Sequence, residues 1–110
     1  MDHAWKDPAY SDLIDDEHLL GLYAANSSAL GRVLADPEVV GGVVGSTDMG
    51  NVSHAVPSIH PMIAVAPAGT SIHTPEFAVH ARGDAGDRAV IDGAKALAAT
   101  VIDVWLEAAP

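Results

Sequence analysis

The sequence predicts an α/β fold with two main helices and two or more short strands. Apolar residues recur at helical spacing in two segments, about residues 16–35 and 87–108. Two short apolar runs, Val39 to Gly45 and Met62 to Ala66, are bounded by glycine and proline, which is typical of short buried strands. Because a sheet of only two strands is marginally stable in water, we expect something else to complete it.

The first helix follows a connecting arm, residues 1–15, and opens the folded part, residues 16–110. Asp15 or Asp16 is expected to cap it, because an aspartate oxygen accepts a hydrogen bond from a first-turn N–H group. The helix is expected to end at Asp36-Pro37, since proline disfavours the helical conformation of the preceding residue. Its apolar residues are Leu19, Leu20, Tyr23, Leu30, Val33 and Leu34.

The last helix, from about Asp87 to Ala108, has the most regular pattern in the chain. We expect its apolar face to be buried, as such faces usually are. One further helical turn is expected to begin at Thr74-Pro75, because proline is favoured at the first helical position. The apolar row of the last helix is Val90, Ala94, Leu97, Val101 and Trp105, joined by Ile91, Ala98 and Ile102.

Composition limits the possible partners. The chain has 110 residues, 49% of them hydrophobic, which is enough for one small domain. Its net charge of −10 repels nucleic acid and anionic membranes, so neither is expected as a partner. The carboxylates are scattered and are best explained as a solvated surface. Without a basic region followed by an apolar run near the start, a cytoplasmic protein is expected.

Metal and nucleophile chemistry is constrained by the absence of cysteine, which excludes disulfides, thiolate ligands and a cysteine nucleophile. Any metal would have to be held by His, Asp or Glu side chains. Six histidines are many for this length, and His54, His60 and His73 lie near proline-rich and glycine-rich segments. Their spacing alone identifies no site, because the chain has no H-E-x-x-H motif, phosphate-binding loop or G-x-S-x-G elbow.

Three blocks of sequence carry a family resemblance: GSTDMGNVSHAVPSIHPMIAV, then SIHTPEFA, then GAKALAATVIDV. In this order they resemble the C-terminal part of the catalytic domain of M20 metallopeptidases and amidohydrolases. The most similar branch is that of aminobenzoyl-glutamate hydrolase-like proteins and M20 domain-containing dipeptidases. The resemblance covers about Asp16 to Ala108 and implies the C-terminal portion of a zinc-peptidase-like α/β/α catalytic domain.

The resemblance implies hydrolysis of an amide bond in an N-acyl amino acid, a dipeptide or a related small molecule, with zinc or manganese as the metal. It places His73 of SIHTPEF at the position of the family's last metal ligand. Asp48 and Asn51 are expected to border the substrate cleft or, equally, to cap their own loop as Asx turns do. His54 and His60 are candidates for facing the substrate, and His3, His18 and His80 are expected to be surface residues.

The chain departs from the family pattern because the other metal ligands and the catalytic glutamates have no counterpart in it. One histidine cannot hold a catalytic metal, since such sites use about three protein ligands and a water. The resemblance therefore implies a fragment or half of a split enzyme, inactive alone, which pairs with a missing N-terminal half or with itself. The alternative is a noncatalytic binding or self-association module that keeps the half-domain as a scaffold.

Overall fold

Four helices make up the regular structure of the described residues. The structure, a computed structural model, describes residues 2–4, 9–35 and 47–109. The helices are α1 (Glu17–Ala29), α2 (Met49–Ser53), α3 (Pro75–Ala81) and α4 (Asp84–Glu107). The described part of the chain contains no β-strand.

The predicted α/β fold is therefore wrong for the described residues, which are all-helical where they are regular. The run Met62 to Ala66 joins no β-ladder with another described segment. Instead, the Ala64 carbonyl accepts a hydrogen bond from Arg32 Nη1 at 3.1 Å. A strand exists only through hydrogen bonds to a neighbouring strand, which an apolar run cannot supply alone. The other predicted strand, Val39 to Gly45, lies outside the described residues.

Helix α1 begins as predicted and ends early. The Asp16 carboxylate accepts a hydrogen bond from the Leu19 N–H at 2.9 Å, which confirms Asp16 as the N-cap. The predicted end at Asp36-Pro37 is wrong, because Gly31 adopts a left-handed conformation with φ of 79°. The Arg32 and Gly31 N–H groups donate to the carbonyls of Ser27 and Ser28, at 3.0 and 2.9 Å. This pair of bonds is a Schellman motif, which terminates the helix.

Helices α3 and α4 follow each other closely. The Thr74 hydroxyl accepts a hydrogen bond from the Phe77 N–H at 3.2 Å and Pro75 takes the first helical position, which confirms the predicted start of α3. Helix α4 begins at Asp84, three residues before the predicted start. Gly86 makes this turn possible, because a Cβ atom at that position would collide with the Ala81 carbonyl.

The chain divides into two compact units, Met1–Leu20 with Ala35–His60, and Gly21–Leu34 with Pro61–Pro110. The first four residues of α1 belong to the first unit and the remainder to the second. The buried hydrophobic residues are Tyr23, Ala89 and Ala96, all in the second unit. The described core is therefore small and rich in alanine.

Helix α4 buries the face opposite to the one that its sequence predicts. Ala89, Ala96 and Thr100 are buried, whereas Leu97 is 49% exposed and Trp105 is 72% exposed. The expectation that the apolar row is buried is thus wrong within the described structure. The reason is packing: small side chains allow α4 to approach its neighbours closely, as at Gly86, where an added Cβ would collide with the Ala81 carbonyl.

No helix in the described ranges has both the length and the apolar character required to cross a membrane.

Candidate functional site

The segment GSTDMGNVSHAVPSIHP, described from residue 47, contains one short helix. Its sequence predicts a loop, but Met49–Ser53 forms α2, a helix of five residues. The Thr47 hydroxyl accepts a hydrogen bond from the Met49 N–H at 3.3 Å at the start of this helix. The polar side chains of α2 are thus presented from a helical turn within the first unit.

Asn51 holds the preceding arm of the chain against α2. Its Oδ1 accepts a hydrogen bond from the Ser11 N–H at 2.9 Å, and its Nδ2 donates to the Ala9 carbonyl at 3.0 Å. One side-chain amide therefore satisfies both a donor and an acceptor of an extended segment. Gly50 allows the close approach, because a Cβ atom there would collide with the Ser11 carbonyl.

Ser53 at the end of α2 and His54, the residue after it, also bind this arm, and we call these contacts with residues 9–14 the clasp. Ser53 Oγ accepts a hydrogen bond from the Ile14 N–H at 3.0 Å and donates to the Gly50 carbonyl at 2.7 Å. His54 Nε2 lies 3.1 Å from the Asp12 carbonyl oxygen and 3.3 Å from Asp12 Oδ1. Both of these partners are acceptors, so Nε2 carries the hydrogen and Nδ1 is the nitrogen with a lone pair in the neutral ring.

An open depression of about 430 Å³ lies beside this clasp, within the first unit. A hydrogen bond of 2.9 Å from the Asp16 N–H to the Ser58 carbonyl joins its two walls. Asp16 also caps α1, so part of its carboxylate is already engaged. The lining residues are Ile14, Asp15, Asp16, Glu17, Ser53, His54, Ala55, Val56, Pro57 and Ser58. The depression therefore combines an acidic wall with an apolar one.

Asp48 and His60, two predicted substrate-facing residues, are exposed in the first unit. Asp48 precedes α2 but makes no side-chain capping hydrogen bond. Its carboxylate is thus not committed to the end of the helix. The predicted roles of Asp48, Asn51, His54 and His60 toward a substrate stay predictions.

His73, the predicted metal ligand, lies in the second unit and is exposed. It has a φ of 62°, a left-handed conformation that a residue with a Cβ atom adopts at a cost of about 1–2 kcal/mol. The following Thr74 fixes the turn, because its hydroxyl donates to the Ser71 carbonyl at 2.8 Å and also caps α3. The imidazole is therefore carried on a constrained turn. Its role as a ligand stays a prediction.

The described residues do not form a metal site by themselves. No three of their His, Asp or Glu side chains converge as ligands, whereas a catalytic zinc site needs about three protein ligands and a water. Of the predicted residues, Asn51 and His54 are brought together on the arm formed by residues 9–12. A complete site would therefore need ligands from beyond the described part.

Two residues of the clasp were not anticipated from the sequence. They are Ser53 and Asp12, whose contacts join residues about 40 positions apart in the chain. Asn51 and His54 are three residues apart, the spacing that places two side chains on the same side of a helical turn, and this is the signal that the sequence offered for their common contact with the arm.

Comparison with known proteins relates the chain to peptidases. It is 35% identical to the Xaa-Arg dipeptidase of Mus musculus and 32% identical to that of Homo sapiens, in each case over 96 residues. Each match covers 86% of this chain. The similarity supports the resemblance to the M20 peptidase family, without separating its branches. No family model matches the chain, and no solved structure matches it.

The chain corresponds to a minor part of these relatives. The matched segment makes up 22% of the length of each dipeptidase, so the chain spans about a fifth of the curated relatives it matches. The activity of a whole dipeptidase is therefore not transferred to this chain by similarity alone.

Proposed function

We propose that this chain contributes part of the active site of a metal-dependent peptidase that hydrolyses dipeptides or related small amides. The observation that carries the proposal is the 96-residue match to Xaa-Arg dipeptidases, which extends over 86% of the chain. Dipeptides that end in arginine are accordingly the first substrates to test. In this proposal the chain works together with polypeptide that supplies the remainder of the site.

His73 supplies one metal ligand in this function. Support comes from its backbone, because left-handed conformations of residues other than glycine are uncommon and concentrate at functional positions. The capped start of α3 fixes the turn that carries the imidazole. Zinc or manganese, when bound, would polarise the amide carbonyl and activate a water. Since the described residues hold no three-ligand set, the other ligands come from elsewhere.

The first unit contributes the substrate-facing residues. Asp48 is exposed and its carboxylate makes no capping bond, so it remains available to a basic group of a substrate. His54 presents Nδ1, because its Nε2 is bound to Asp12. His60 is exposed two residues before the start of the Met62 to Ala66 run. Asn51 acts indirectly in this proposal, by holding the arm that fixes the position of His54.

The experiment is a chimera in which this chain replaces the matched segment of the mouse dipeptidase. We expect the chimera to hydrolyse an Xaa-Arg dipeptide with added zinc or manganese, and the isolated chain to show neither hydrolysis nor tight zinc binding. His73→Ala should reduce hydrolysis by far more than tenfold, whereas His80→Ala, on α3, should leave it nearly unchanged. A melting curve for each variant separates loss of a ligand from loss of folding.

The result would count against the assignment if a folded His73→Ala chimera kept more than about a tenth of the activity, a barrier change below about 1.4 kcal/mol. A chimera that folds, binds metal and yet hydrolyses no dipeptide would overturn the proposed function itself.

A noncatalytic module remains the second candidate function. The observation that favours it is the exposed apolar row of α4, which suits a protein-binding scaffold. Hydrolysis by the chimera would favour the peptidase function over the noncatalytic module.

A further inference from the structure

Helix α4 presents a broad apolar surface that the described residues leave exposed. At 100° per residue, its side chains occupy an arc of about 140°. The opposite side of the helix carries the polar contacts, such as the hydrogen bond of 2.7 Å from Asn26 Nδ2 to Asp103 Oδ2. We call this surface the apolar face of α4; it consists of Val90, Ile91, Ala94, Leu97, Ala98, Val101, Ile102 and Trp105.

The size of the apolar face of α4 fits a protein interface. Its six large side chains and the adjacent Leu106 are between 49% and 72% exposed. Together they present on the order of 800 Å² of apolar surface, which is what each partner contributes to a standard stable complex. The largest apolar patch of a typical monomer is smaller, about 300–600 Å². The face is thus large enough to hold a partner without any other part of the chain.

The charge distribution permits a partner that is itself acidic. No Asp, Glu, Lys or Arg lies within the arc between Val90 and Trp105, and Lys95 lies at its edge. Asp87 lies in line with the face one turn before Val90, and the repulsion of the net charge of −10 is screened beyond about 8 Å at physiological salt. Two copies of the chain can therefore meet at this face without placing carboxylates opposite each other.

We propose that the apolar face of α4 binds the same face of a second copy of this chain, with the two helices antiparallel and the two-fold axis over Ala98. In that arrangement Trp105 of one copy lies opposite Ile91 of the other, and Ile102 lies opposite Ala94. Large side chains thus meet small or branched ones, as close packing requires. The face is complementary to itself, which is the condition for a two-fold interface.

The centre of the face supports this orientation. Ala98 is exposed and small, so two helices can approach closely where their axes cross. Lys95 of one copy would lie opposite Val101 of the other, where its aliphatic stem covers the valine and its amine reaches water. Antiparallel helices also place opposite ends of their dipoles side by side, which favours the pairing.

The first test is the mass of the complete 110-residue chain across a concentration series, by sedimentation or light scattering. We expect a dimer at micromolar concentrations. Ala98→Glu puts two carboxylates at the two-fold axis and should weaken dimerisation at least tenfold. Val33→Glu is the matched control, because Val33 is apolar, 81% exposed and outside α4. Circular dichroism of both variants shows whether each keeps its helices.

The second test uses the absence of cysteine from the chain. Ala98→Cys introduces one thiol at the proposed axis, where the two Cα atoms can approach within the roughly 4.4–6.8 Å that a disulfide requires. Mild oxidation should give a covalent dimer rapidly, whereas Val33→Cys should cross-link slowly. This test needs no loss of stability and remains informative if Ala98→Glu fails to fold.

Three results would overturn the proposal. One is a monomer at about 100 μM, which would mean that the face is covered by residues of the same chain or reserved for a different polypeptide. Another is a dimer that Ala98→Glu leaves intact, and the third is equal cross-linking at positions 98 and 33. The inference does not rest on the proposed peptidase function, because neither the mass nor the cross-link depends on catalysis.

Discussion

Arg32 and Asp92 form an ion pair in which Nε and Oδ2 are 2.7 Å apart. Arg32 Nη1 also donates to the Ala64 carbonyl at 3.1 Å. The two side chains are only 24% and 25% exposed, so water competes weakly for these bonds. This one arginine thus connects the chain after α1, the middle of α4 and the 61–66 segment, all within the second unit.

Arg32→Ala should lower the free energy of unfolding by about 1.5–3 kcal/mol, the range for losing hydrogen bonds to a charged group. The reason is that the Asp92 carboxylate then stays half-buried without its cation. Arg82→Ala, at an exposed position, should change stability by no more than about 0.5 kcal/mol. Urea unfolding followed by circular dichroism measures both. Equal effects of the two substitutions would show that the pair contributes nothing.

Asn51→Asp tests the clasp in the first unit with almost no change of shape. The carboxylate can still accept from the Ser11 N–H, but it cannot donate to the Ala9 carbonyl. We expect a loss of about 1–2 kcal/mol, because one hydrogen bond is replaced by two facing oxygens. Faster hydrogen exchange at the Ser11 amide should report the release of the arm. Asp48→Asn is the control and should leave this amide unchanged.

Two glycines in helices should respond in opposite directions to alanine. Gly86→Ala places a methyl group against the Ala81 carbonyl and should destabilise the chain by about 1–3 kcal/mol or more. Gly21→Ala, in α1, meets no atom within 4 Å and should stabilise it by about 0.5–1 kcal/mol. Thermal melting of both variants checks the contrast. Stabilisation by Gly86→Ala would refute the close approach of α3 and α4.

His73→Gly and His73→Ala separate the backbone of the turn from its imidazole. Both remove the side chain, but only glycine adopts a φ of 62° without strain. We therefore expect the glycine variant to be more stable than the alanine variant by about 0.5–1 kcal/mol. A pair of melting curves measures the difference. An alanine variant at least as stable as the glycine variant would mean that residue 73 is not left-handed in solution.

The features that were predicted from the sequence and found in the structure depend on a few neighbouring residues. Asp16 caps α1 and Thr74 with Pro75 begins α3, because each cap is formed within three or four residues of the chain. The early end of α1 also depends on neighbouring residues, because Gly31 is the left-handed glycine that terminates the helix. The contacts of the candidate site were harder to predict from the sequence, since Asn51 bonds to residues about 40 positions away.

By itself the sequence determined that two long helices exist, that Asp16 caps α1 and Thr74 caps α3, and which family the chain resembles, because periodicity, caps and motifs are properties of the chain. Only the tertiary structure decided that Met62 to Ala66 forms no strand and that α4 buries its small residues instead of its large apolar ones. Burial and strand pairing depend on which surface is available nearby. A hydrophobic pattern indicates that a face is suited to burial. Which surface covers that face, and whether an apolar run pairs as a strand, depends on the rest of the fold.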